Sequence, residues 1–201
     1  MRDTISLNHI SKSYNGQTVF SDLCLSIPLG EITALTAPSG YGKTTLLRLL
    51  MGLETPDSGT ITGLEAQKKS AVFQEDRLCE NLSALANIKL TAVSHSESEI
   101  LAAMEQIGLH DCAKKTAKEL SGGMKRRITI LRALLADYDL LFLDEPLKGL
   151  DSNTKELVIK YTKRLIAQKT VIFTTHDPAE ISALHATNEI FLPKVSGQTS
   201  F

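Results

Sequence analysis

The stretch Ala37-Pro38-Ser39-Gly40-Tyr41-Gly42-Lys43-Thr44-Thr45 carries the residue types needed to grip a chain of phosphates. Such a site needs backbone N–H groups turned inward, a helix N-terminus aimed at the anion, one long cation and one hydroxyl for a metal. Gly40 and Gly42 permit that backbone; Lys43 supplies a cation able to reach the terminal phosphates, and Thr44 supplies the hydroxyl. Ala37 stands where this pattern has its first glycine, and a negative φ there would accommodate the extra methyl group. Further along, four apolar residues, Leu140 to Leu143, deliver Asp144 and Glu145. At a strand end adjacent side chains face opposite ways, so one carboxylate can hold a metal while the next reaches an attacking water as general base. The same pair, followed by Pro146, also reads as the acidic first turn of a helix with no chemistry. Ser121-Gly122-Gly123 opens a helical run marked by Met124, Ile128, Leu131 and Leu135, which makes either a second anion site or a plain N-cap.

The elements around these residues alternate in type. From Thr4 to Ile27 the apolar residues fall mainly at every second position, with a turn at Asn15-Gly16, as in an antiparallel sheet edge. Ile32 to Leu35 reads as a short buried strand, followed by the glycine loop and an apolar helix from Lys43 to Met51. Ser70 to Phe73, Leu140 to Leu143, Val171 to Phe173 and Ile190 to Leu192 read as further short strands, and Asn81 to Leu120 as mainly helical. Strands alternating with helices predict an α/β fold with a mainly parallel sheet. A chain of 201 residues, 42% of them hydrophobic, has room for one sizeable core and is crowded for two.

Composition excludes several classes of function. With 22 basic and 23 acidic side chains, the net charge of -1 gives no general pull toward nucleic acid or anionic lipid. Cys24, Cys79 and Cys112 cannot all pair and lack metal-ligand spacing, so reduced thiols and a cytosolic setting are expected. No apolar run is long enough to span a bilayer, and Met1-Arg2-Asp3 leads into an alternating segment rather than the core of an export signal. From the short stretch that follows Leu192, no C-terminal regulatory domain is expected.

Taken in order, these motifs resemble the ATP-binding cassettes of ABC transporters. Leu120-Ser121-Gly122-Gly123 resembles the signature motif, and the resemblance extends over nearly the whole chain. It implies that Tyr14 stacks on adenine, that Gln74 belongs to the glutamine loop, and that Leu150-Asp151 ends the D-loop. It also makes Thr175-His176-Asp177 the switch region. The implied architecture is a P-loop nucleotide-hydrolase core with an N-terminal antiparallel β subdomain and an inserted α-helical subdomain. The chain would then be one ATP-binding domain over 1–201, with the helical subdomain at about 76–135. The implied activity is hydrolysis of ATP with Mg2+, the metal held by Thr44, Gln74 and Asp144, and with Glu145, His176 and Gln74 in the hydrolytic step.

The implied partners are a second, identical cassette packed head to tail, membrane permease subunits and a solute-binding protein. In that dimer Ser121, Gly122 and Gly123 of one chain would meet the nucleotide of the other. The implied location is the cytoplasmic face of the cell membrane, as a peripheral subunit. Val72 to Leu78 resembles importers of nitrate, sulfonate and taurine, and Glu75, Asp76, Arg77 and Leu78 to Leu82 are candidate permease contacts. The interval from Lys43 to Ser121 is too short for the coiled-coil insertions of DNA-repair relatives. A soluble ATPase acting on ribosomes or DNA and a silent regulatory cassette are the competing readings. Beyond Ala37, two features depart from the family pattern. Met124 replaces a usual glutamine, removing an amide able to bond a ribose across the dimer, and Lys148-Gly149 replaces a usual Ser-Ala.

Overall fold

A computed structural model of the protein describes residues 3–65 and 67–193. Met1, Arg2 and the tail beyond Pro193, on which the expectations about an export signal and a regulatory domain partly rest, lie outside the described residues.

Strand β1 (Thr4–Tyr14) and strand β2 (Gln17–Pro28) form the antiparallel hairpin that the alternation predicts. Asn15 and Gly16 connect them with φ values of 49° and 79°, the left-handed pair that a two-residue hairpin turn requires. The alternation is broken at His9, where a φ of 55° accompanies a register shift between Leu7 and Ile10. A polar strand, β4 (Ser58–Thr62), pairs antiparallel with the other edge of β1, giving the order β2-β1-β4. Its Ser-Gly-Thr-Ile-Thr sequence has no apolar alternation, and the sequence reading did not assign it.

The second sheet is parallel, in the order β5-β6-β7-β3-β8. These strands are β3 (Ile32–Thr36), β5 (Lys69–Val72), β6 (Leu140–Asp144), β7 (Thr170–Thr175) and β8 (Asn188–Phe191). Every residue of β6 and β7 is buried, which is why both read as apolar runs without alternation. The alternation reappears in which core each side chain joins. Leu140, Phe142 and Ile172 pack with Leu35 and with Leu46, Leu47 and Leu50 of helix α1 (Lys43–Met51), beneath the antiparallel sheet. Leu141, Leu143, Val171 and Phe173 point the other way, onto helix α4 (Gly122–Leu134) and helix α5 (Ser152–Ile166). Full burial of each such side chain stabilises by about 1.5–3 kcal/mol.

The stretch predicted as mainly helical between Asn81 and Leu120 is broken into helix α2 (Ala84–Lys89), helix α3 (Glu97–Gln106) and a short 3-10 turn at Ala117–Glu119. Serine caps start both helices. Ser83 and Ser96 are N-caps, and Ser96 forms a capping box with Glu99. Helix α6 (Pro178–Ala183) follows β7, and among the described residues no helix is long and apolar enough to cross a membrane.

Candidate functional site

Because the second sheet is parallel, its strands all end at one edge, where open α/β sheets hold ligands. β3 runs into the phosphate loop, β5 into Phe73-Gln74, β6 into Asp144-Glu145 and β7 into Thr175-His176. Three motifs far apart in sequence, the phosphate loop, Gln74 and Glu145, thereby meet over a cleft of about 300 Å3, with His176 beside Glu145. Its walls are Tyr14 and Val19 of the first sheet, the loop from Ser39 through Gly40, Gly42, Lys43, Thr44 and Thr45, and then Gln74, Glu145 and Lys148.

Gly42 caps helix α1 at φ 86°, and a Cβ there would come within 2.6 Å of Val19 Cγ1 and 2.8 Å of Phe20 Cζ. The loop is therefore pressed against β2 at a point where only glycine fits. Ala37 is buried and has no positive φ, which is the condition under which alanine substitutes for the missing glycine. Lys43 Nζ donates to the carbonyls of Ala37 at 2.6 Å and Pro38 at 3.2 Å, which holds the ammonium inside the loop. Burial pulls its pKa below the ordinary lysine value, against the opposite pull of Glu145 and Asp144. Tyr41 packs on the core below the antiparallel sheet instead of lining the cleft. Ala37 and Pro38 also border a neighbouring cleft of about 480 Å3 with His176.

The two carboxylates part as the strand-end geometry predicts. Asp144 is buried, with Oδ2 accepting from Thr44 Oγ1 at 2.8 Å and Oδ1 accepting from Thr174 Oγ1 at 2.7 Å. The hydroxyl of Thr44 and the carboxylate of Asp144 thus bring two hard oxygen donors together beside Gln74, a donor set that suits Mg2+. Glu145 turns out of the strand at φ 45° and faces the cleft, its backbone N–H donating to Thr174 Oγ1 at 2.9 Å. Lys148 Nζ donates to Glu145 Oε2 at 2.8 Å, and His176 Nδ1 lies 3.7 Å from Oε1. Burial alone would raise the pKa of Glu145; the hydrogen bond and charge of Lys148, with His176 and Lys43, outweigh it and hold the group below the ordinary carboxylate value. Residues 145–149 form turns and the next helix starts only at Ser152, so the acidic-helix-turn reading of Asp144-Glu145-Pro146 does not describe this chain.

Arg126 ties the site together, and the sequence reading missed it. Although charged, it is only 5% exposed. Its guanidinium donates to the carbonyls of Pro146 at 2.9 Å, Phe73 at 2.6 Å, Asp144 at 2.9 Å and Glu145 at 2.6 Å, with a longer contact to Gln74 O at 3.4 Å. One side chain on α4 therefore fixes the Gln74 loop to the carboxylate loop. Thr129 and Arg132 hold the next residues by donating to the carbonyls of Asp76 and Arg77. Thr174 was missed as well, since it extends an apolar strand and gives no separate signal.

Of the remaining motif residues, Ser121, Gly122 and Asp151 lie outside the cleft, whereas Tyr14 lines it. Ser121 is the exposed N-cap of α4, its Oγ accepting from Met124 N at 3.3 Å, and Gly122 is exposed. Asp151 caps α5, accepting from Thr154 N at 3.0 Å and Thr154 Oγ1 at 2.7 Å. Tyr14, at the end of β1, is 38% exposed; its ring carries the Lys12 ammonium 5.2 Å from the centroid and its hydroxyl donates to Glu54.

A parallel sheet with a glycine-rich loop and helix after one strand and a buried aspartate bonded to that helix's threonine after another is the architecture of the P-loop class of nucleotide-binding folds. A family model described as ABC transporter matches residues 20–148. An aliphatic sulfonates import ATP-binding protein of Yersinia pestis is 39% identical over 188 residues, covering 90% of this chain and 69% of the relative. A Nod factor export ATP-binding protein of Rhizobium johnstonii is 37% identical over 197 residues, and there the chain spans 63% of the relative's length. The dimeric structure of MJ0796, a bacterial ABC transporter cassette, superposes with a TM-score of 0.81 at 27% identity, covering 94% of each chain. A Pyrococcus furiosus ABC transporter ATP-binding protein gives 0.79 at 24% identity, covering 94% of this chain and 97% of that one, a likeness of fold alone. The chain belongs to the ABC transporter family, as one of its ATP-binding cassettes.

Proposed function

We propose that this chain binds and hydrolyses ATP with Mg2+ and powers solute transport through separate permease subunits. The observation that carries this reading is the meeting of Lys43, Thr44, Gln74 and Glu145 at one cleft, with Asp144 bonded to Thr44 and His176 beside Glu145. Lys43 would hold the terminal phosphates, while Thr44, Asp144 and Gln74 would hold the magnesium ion, whose charge offsets that of the phosphates. Glu145 would orient and deprotonate the attacking water, and His176 would steady the reacting phosphate from the β7 side. Tyr14, half exposed at the mouth of the cleft, would stack on the adenine.

Ser121 to Gly123 lie away from their own cleft, which supports a head-to-tail dimer in which they complete the nucleotide site of a second copy. Residues 76–135 then act as the helical subdomain of a single ATP-binding domain, with Asp151 and the D-loop across the same interface. A groove of about 360 Å3 beside Phe73, lined also by Leu53, Thr91 and Arg132, would take the permease, with Glu75 to Leu82 at its rim. The chain would sit at the cytoplasmic face of the membrane. Import is supported by the Val72 to Leu78 segment and by the name of the Yersinia relative, while the Rhizobium relative's name gives export. Calorimetry of ATP binding with magnesium tests the site. Lys43→Ala removes the cation held inside the loop and should weaken binding by about tenfold or more, the usual effect of losing a charge-assisted contact. Unchanged affinity would refute the phosphate assignment.

A further inference from the structure

The main chain of Glu145 is held on every side. Its N–H donates to Thr174 Oγ1 at 2.9 Å, and its carbonyl accepts from Arg126 Nη2 at 2.6 Å and from the Lys148 N–H at 3.2 Å. None of these contacts restrains the side chain, whose torsions would otherwise leave the carboxylate several orientations. A general base must place one oxygen within hydrogen-bond reach of the water it activates. Two groups face the carboxylate. His176 Nδ1 stands 3.7 Å from Oε1, beyond hydrogen-bond range, and Lys148 Nζ donates to Oε2 at 2.8 Å. Among the described residues, Lys148 is the one side chain hydrogen-bonded to that carboxylate.

The turn from Glu145 to Lys148 sets this geometry. Its closing hydrogen bond places the two residues on the same side, and a long flexible stem lets the ammonium reach back to Oε2. The Lys148 side chain remains 57% exposed while that of Glu145 is 14% exposed, so the ammonium keeps much of its hydration and the carboxylate receives a directed bond. A side chain as short as serine at position 148 would end one atom beyond Cβ and lack this reach.

We propose that Lys148 is a positioning residue for the hydrolytic step: its ammonium holds Oε2 of Glu145 and so aims Oε1 at the cleft between the phosphate loop and His176. The inference rests on Glu145 acting as the general base.

The test is a double-mutant cycle with Lys148→Met, Lys148→Arg, Glu145→Gln and the Glu145→Gln/Lys148→Met double variant. Steady-state kcat and KM for magnesium-ATP are measured on the full chain beside thermal melting. Lys148→Met should lower kcat about fivefold, the upper range for a partly exposed ion pair, with KM and melting essentially unchanged. Lys148→Arg should recover most of that loss, and Lys148→Met should add nothing in the Glu145→Gln background. Wild-type or raised kcat in Lys148→Met would overturn the proposal, as would an equal loss in both backgrounds, which would place the lysine on the nucleotide instead. Wild-type turnover by Glu145→Gln would overturn the reading of Glu145 itself, so the two failures are distinguishable.

Discussion

Replacing Arg126 by alanine should be the most damaging single change among the residues that frame the site without touching nucleotide. The side chain makes four hydrogen bonds of 2.9 Å or shorter to the carbonyls of Phe73, Asp144, Glu145 and Pro146. Taken singly, hydrogen bonds to a charged group contribute about 1.5–3 kcal/mol, so simple addition gives about 6–12 kcal/mol. That sum rivals the entire stability of a domain, about 5–15 kcal/mol, and overstates the case because the guanidinium gave up hydration to be buried. Burial lowers its pKa, with Asp76 pulling the other way. Removing one partner of a buried charged network costs about 3–5 kcal/mol, which for a chain of this size is a fall in Tm of roughly 6–20 °C. Urea and thermal unfolding of Arg126→Ala, beside Arg126→Lys, measure this. Lysine keeps the charge but cannot span four carbonyls with one nitrogen, so it should recover less than half of the loss. A destabilisation by Arg126→Ala below about 1 kcal/mol would refute the view that this residue holds the two loops together.

Two further outcomes follow from geometry elsewhere. Gly42→Ala adds a Cβ 2.6 Å from Val19 Cγ1 at a φ of 86°, so stability should fall by about 1–3 kcal/mol and ATP affinity should fall with it; calorimetry and melting report both. Ser121→Arg places a bulky cation at an exposed helix start outside the cleft, so ATP-dependent dimerisation in sedimentation should disappear while ATP binding to the single chain stays near wild type.

The parts of the site built from local pattern were legible in the sequence. Asn15-Gly16 announced its hairpin because few other pairs adopt left-handed φ twice in succession. Leu140 to Leu143 announced a central strand, and with it the divergence of Asp144 and Glu145, because burial on both faces leaves no polar position. What stayed hidden depends on contacts between distant segments. Arg126 reads as one of several basic residues on a helix, and nothing local says that β5 and β6 end beneath it. β4 owes its pairing to β1 rather than to its own composition, while Thr174 becomes informative only once Asp144 and Glu145 lie beside it. Lys148 was visible as a departure from the family pattern, but its bond to Glu145 needed the turn geometry.

The central claim is that Glu145 activates water for ATP hydrolysis, and Glu145→Gln tests it most directly, since it preserves size and hydrogen-bonding shape while removing the base. Phosphate release by purified wild type and variant, with magnesium and ATP, should show turnover reduced by roughly 10²- to 10⁴-fold with ATP affinity retained, the usual range for a positioned general base. Sedimentation of the same samples should show the variant held as an ATP-dependent dimer that wild type forms only transiently, whereas wild-type turnover by the variant would contradict the account.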